Sequence, residues 1–180
     1  GLAFGDVDAD GHTNLCLAHN FFSPQPETGR VNGGLGLLLR GSSGGLLQPV
    51  RADQSGIVLP GDTKALALAD LDGDARPELL ATLNDGPVRV FKNAATGGRS
   101  LTLRLRGPGA IGARVNVEFD KARPLVAEIY GGSGYLTGNA TTLHLGIPQG
   151  DAVTAIRVRT PAGSVKEFPP PKGPIAVLEL

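Results

Sequence analysis

Apolar and polar residues alternate along this chain with a period of two. In LTLRLR (101–106), Leu101, Leu103 and Leu105 fall on one side, and Thr102, Arg104 and Arg106 on the other. The same alternation recurs in KALALAD (64–70), ARVNVEF (113–119) and TAIRVRT (154–160). Successive side chains of a strand point to opposite faces, so each stretch predicts a strand with one buried and one wet face. Turn signals separate them: NGG at 32–34, GSSGG at 41–45, NDG at 84–86, TGG at 96–98 and GGSG at 131–134. No stretch carries a convincing amphipathic helix of about ten residues. The pattern predicts an all-β chain.

Composition agrees. There are 27 Gly and 14 Pro among 180 residues, without collagen periodicity, which suits short strands joined by many turns. The 17 basic and 17 acidic residues cancel, which argues against a nucleic-acid partner, because that partner selects a net basic face. No apolar run approaches the ~18 residues of a membrane-spanning helix. A chain that opens on Gly1 and lacks Met is expected to be a processed product or an excised piece. The single cysteine, Cys16, sits in the alternating context LCLAH and is expected to act as a small buried hydrophobe.

Two acidic segments carry the candidate chemistry. GDVDADGHTN (5–14) places Asp6, Asp8 and Asp10 at positions 1, 3 and 5 of a loop, with Gly11 at 6, His12 at 7 and Asn14 at 9. ADLDGDARPE (69–78) repeats this with Asp70, Asp72 and Asp74, then Ala75, Arg76 and Glu78. Calcium takes six to eight hard oxygens, and alternate residues of a tight turn converge to supply them. Position 7 offers its backbone carbonyl, so His12 and Arg76 are compatible with that role. Ala75 in place of glycine predicts a looser second site. The EF-hand pattern does not apply, because position 12 is Leu17 or Ala81 and strands, not helices, flank the loops. Two calcium sites are therefore expected, the bland alternative being two solvated acidic turns.

Catalytic signals are thin, and no enzymatic activity is expected. GPGAIG (107–112) matches a dinucleotide-binding pattern, but an alternating strand follows it where that pattern needs a helix, so it reads as a hairpin connection. His12, His19 and His144 lack metal-type spacing, and His144 is expected to be a strand residue with a satisfied partner. Ser133 lies in a glycine turn with no supporting His/Asp set. Asn139-Ala140-Thr141 is a formal glycosylation triplet.

The composition shifts near residue 97, which predicts a repeat region at 1–96 and a second domain at 97–180. The acidic loops stand about 64 residues apart, a spacing compatible with propeller blades. KALALADLDGDARPELLATLNDGPVRVFKN (64–93) and GLAFGDVDADGHTNLCLAHN (1–20) resemble the FG-GAP/VCBS-type repeats of integrin-like β-propellers. The later segment resembles the ASPIC/UnbV domain through Gly109–Val115 (GAIGARV), Gly132–Leu136 (GSGYL), His144–Gly146 and Pro161–Gly163, with Thr160 where that family usually has Trp.

The resemblance implies partial propeller-like blades followed by a β-sandwich-like domain. It also implies a calcium-stabilised, extracellular or cell-surface protein of the kind bacteria secrete. The expected role is adhesion or assembly, with other subunits, surface proteins or further copies as partners. Strand-rich ends such as IAVLEL (175–180) would leave edges for them. A carbohydrate-binding module is the alternative, with Tyr130, Tyr135, Phe21 and Phe22 as its stacking residues.

Overall fold

The computed structural model describes residues 1–132 and 137–180, so the GSGYL residues Ser133, Gly134, Tyr135 and Leu136 lie outside the described residues. The described chain is all-β, with one four-residue helix, α1 (Ala52–Ser55), and no sheet closed into a barrel. The first sheet is an antiparallel meander of β1 (Leu2–Gly5), β2 (Asn14–Leu17), β3 (Leu37–Arg40) and β4 (Gln48–Val50). A second meander follows, of β5 (Thr63–Ala69), β6 (Glu78–Leu83) and β7 (Arg89–Phe91). Each acidic segment links the first strand of its meander to the second. The first strands, β1 and β5, lie beside each other.

The remaining strands are β8 (Arg99–Arg106), β9 (Arg114–Phe119), β10 (Leu125–Glu128), β11 (Thr142–Ile147), β12 (Val153–Arg159), β13 (Val165–Phe168) and β14 (Ile175–Glu179). They form two sheets, ordered β10-β9-β12-β13 and β11-β8-β14. IAVLEL becomes β14, which pairs in parallel with β8, Leu178 opposite Leu105, and forms an edge of its sheet. GPGAIG is followed by a strand, as expected, but it is not a hairpin. Its flanking strands β8 and β9 belong to different sheets, so the turn carries the chain across the core. Pro161-Ala162-Gly163 does close a hairpin between β12 and β13, with Gly163 at φ 89° donating its N–H to the Thr160 carbonyl.

The alternating leucines explain the packing. Leu101, Leu103 and Leu105 of β8 are buried against Val115, Val117, Ile156 and Val158 of the facing sheet. Each such side chain removed from water stabilises the fold by about 1.5–3 kcal/mol before entropy is counted. A second cluster gathers Ala3, Cys16, Leu38, Leu66 and Leu79 from the two meanders and Leu59 from the link between them. The two clusters draw on separate parts of the chain, and the acidic loops lie where those parts meet.

Candidate metal centres

Both loops have one backbone design. Positions 4 and 6 are left-handed in each: Ala9 (φ 56°) and Gly11 (φ 89°) in the first, Gly73 (φ 82°) and Ala75 (φ 67°) in the second. Glycine takes this conformation freely and alanine at a cost, so each loop places glycine at one of the two positions and bears strain at the other. Ala75 keeps the turn that glycine makes at the matching position of the first loop.

The hydrogen bonds correspond as well. The position 1 carboxylate accepts the position 6 N–H in both loops, Gly11 to Asp6 Oδ2 at 2.8 Å and Ala75 to Asp70 Oδ2 at 3.2 Å. The position 5 carboxylate accepts the position 7 N–H in both, His12 to Asp10 and Arg76 to Asp74, each at 2.8 Å.

In the first loop Asp6, Asp8 and Asp10 converge, with carboxylate oxygens within 4.8 Å of one another. Asn14 sits behind them at 1% exposure, its Nδ2 donating to Asp8 Oδ1 at 2.9 Å and its Oδ1 without a partner. Burial first, then the neighbouring Asp10 and Asp8, push the Asp6 carboxyl up to about 6, against the N–H groups of Gly11 and Asp10 that favour its charged form. In the second loop the converging set is Asp70, Asp72 and Glu78. Glu78 is 3% exposed; its Oε2 accepts the Leu71 N–H at 2.9 Å, and its Oε1 has no partner. Asp74 is exposed and outside that set.

Several contacts around the loops were not foreseen. Arg40 Nε lies 2.8 Å from Asp8, and Lys92 Nζ lies 2.7 Å from Asp72, each bringing a cation to an acidic loop from a later strand or its end. The Arg76 side chain turns away from its own loop and donates Nη2 to the carbonyls of Gly97 and Gly98, both at 3.1 Å. Asn93 joins the two loops, its Nδ2 donating to Val7 O at 2.8 Å and Pro77 O at 3.2 Å. Nothing in the local sequence of Asn93 marks it for this role, because its partners are supplied by the fold.

The C-terminal sheets hold the first loop in place. The Gly146 N–H on β11 donates to Asp6 Oδ2 at 2.8 Å. A Cβ on Gly146 would stand 2.2 Å from that oxygen and 2.6 Å from the Ala9 backbone, so only glycine lets the loop approach. Thr102 Oγ1 reaches the Ala75 carbonyl at 3.4 Å and His144 Nδ1 at 3.0 Å. His144 is thus a partnered strand residue, and burial holds its pKa below the usual histidine value.

Residues 106–174 match the family model described as ASPIC and UnbV. The ASPIC/UnbV match runs from the end of β8 to the link before β14, and it contains the Gly109–Val115, His144–Gly146 and Pro161–Gly163 motifs. ASPIC/UnbV domains are found in extracellular or surface proteins of unclear function. Among curated proteins, none matches the chain significantly. The ASPIC/UnbV segment therefore supplies Gly146, the residue against which the first acidic loop is seated. No helix among the described residues is long and apolar enough to cross a membrane.

The aromatics of the carbohydrate alternative do not form one platform. Phe22 is covered by the Arg30 guanidinium at 3.6 Å, and Phe21 has Lys64 4.5 Å from its ring centroid. Tyr130 is 62% exposed but lies in the other half of the chain, on a cleft that neither phenylalanine lines. Tyr135 falls outside the described residues.

Proposed function

We propose that the two acidic loops bind calcium and that the protein is a calcium-stabilised, non-enzymatic module of an extracellular or cell-surface protein. The observation that carries this reading is the pair of orphaned oxygens, Asn14 Oδ1 and Glu78 Oε1. Each belongs to a position 9 side chain at least nine-tenths buried; Asn14 is bonded to Asp8 of the converging first-loop carboxylates, and Glu78 is itself one of the converging second-loop carboxylates. A buried acceptor without a partner costs about 1–3 kcal/mol, and a bound cation would relieve that cost. The donor set is all oxygen, which suits a hard cation. Asp6, Asp8, Asp10 and Asn14 would supply side chains and His12 its carbonyl to one ion. Asp70, Asp72 and Glu78, with the Arg76 carbonyl, would serve the other, Asp74 standing outside that converging set.

Bound calcium supplies charge that offsets the crowded carboxylates. A ligand that binds only the folded state stabilises it by mass action, about 2.7 kcal/mol at a free concentration 100 times Kd. The resemblance of residues 1–96 to FG-GAP/VCBS repeats supports the same reading. So does the position of each loop between the first two strands of a meander. The role we infer is adhesion or assembly, with surface proteins or further subunits as partners. Thermal melts in calcium and in EGTA test it, together with calorimetric titration. Two sites and a higher melting temperature in calcium are expected; an unchanged melting temperature overturns the proposal.

A further inference from the structure

A cleft of about 1080 Å³ is lined by four edge strands, β1, β5, β10 and β11, together with Arg104 of the central strand β8. An edge strand presents a row of backbone N–H and C=O groups with nothing to pair with. The register shows which of these groups remain open. On β11 the Leu105 N–H donates to Thr141 O, so residues 141, 143 and 145 pair with β8, and 142, 144 and 146 face outward. Part of that edge is already used, since Gly146 donates to Asp6 and Thr142 to the Ala140 carbonyl.

On β10 the Ile129 N–H donates to Ala113 O. Residues 125, 127 and 129 therefore pair with β9, and the backbone groups of Val126 and Glu128 face outward. Among the described residues those groups have no hydrogen-bond partner. Two other edges are guarded. Pro49 interrupts β4, and β13 carries Lys166, whose Nζ is tied to the Glu179 carbonyl. β10 contains neither proline nor lysine.

We infer that β10 accepts an extended peptide segment of another protein as an added antiparallel or parallel strand. Two features state its chemistry. Leu125 of β10 and Leu143 of β11 are half-buried and line the cleft, so alternate side chains of the incoming strand that face inward are apolar. On the opposite face Glu128 already has Arg114 as its cross-strand neighbour on β9. A residue of the added strand opposite Glu128 sits beside the same carboxylate, and opposite charges across strands are favourable, so that residue is Lys or Arg. The recognition is strand addition, with backbone pairing for affinity and alternate side chains for selectivity.

A library of random short peptides displayed on phage and panned against the full chain in calcium-containing buffer tests this. Selected peptides are expected to alternate apolar residues and to carry a Lys or Arg. A synthetic copy N-methylated at alternate residues is expected to bind at least about tenfold more weakly in one of its two registers, because it lacks the pairing donors. Val126→Pro removes only an outward N–H, so it is expected to abolish binding while leaving the melting temperature nearly unchanged. Glu128→Lys is expected to select against basic peptides. A library that yields no binder, or binders indifferent to N-methylation and to Glu128→Lys, overturns the inference even where Val126→Pro fails to fold.

Discussion

Asp6 Oδ2 accepts the backbone N–H of Gly146 at 2.8 Å, joining residues 140 positions apart. The same oxygen accepts the Gly11 N–H at 2.8 Å, so one buried carboxylate shapes its own loop and fastens that loop to the ASPIC/UnbV segment. Gly146→Ala tests this contact. The added methyl meets Asp6 and the backbone of Ala9, and overpacking of this kind costs about 1–3 kcal/mol. A lower melting temperature is expected, with the calcium affinity of the first loop falling and that of the second unchanged. Calorimetric titration of the variant separates the two sites.

Glu78→Gln removes a negative charge while leaving an oxygen that can still accept the Leu71 N–H. The fold is therefore expected to survive. The calcium stoichiometry should fall from two toward one, and the difference between melts in calcium and in EGTA should shrink. Wild-type stoichiometry in this variant would show that Glu78 is not a ligand.

Asp151 gives the acid limb of stability. Burial pushes its carboxyl up, but the N–H groups of Ala152, Ala122 and Lys121 outweigh that and hold it below the usual carboxylate range. Because the folded-state pKa is depressed, this stabilisation is present above the unfolded-state value of about 3.9 and is lost as pH falls through the folded value. Asp151→Asn turns an amide toward N–H donors and is expected to melt lower at pH 7. The gap to the wild type should narrow between about pH 4 and pH 2. Melts across that range, taken in EGTA, check the sign.

Cys16 is buried in the cluster of the two meanders, and burial pushes its thiol up to about 11. At pH 8 the reactive thiolate is then scarcer than in a free cysteine by on the order of a hundredfold. Labelling by a thiol reagent is expected to be slow in the native protein and fast after denaturation. Rapid native labelling would place Cys16 outside the core.

Much of the fold follows from local pattern. The stretches 64–70, 101–106, 113–119 and 154–160 become β5, β8, β9 and β12, because period-two alternation has one low-energy outcome once a core is available. The acidic spacing likewise placed the carboxylates of each loop in one turn, and in the first loop Asp6, Asp8 and Asp10 converge as the spacing predicts, whereas in the second Glu78 takes the place of Asp74 in the converging set. Only the tertiary structure decided what meets those turns: Gly146 against Asp6, Asn93 between the loops, and Arg40 and Lys92 beside Asp8 and Asp72. It also decided that GPGAIG crosses between sheets and that the open edge of β10 borders the cleft. These relationships join segments far apart in the chain, and they exist because each sheet buries its apolar face against whichever partner the whole fold brings to it. No local period records that choice.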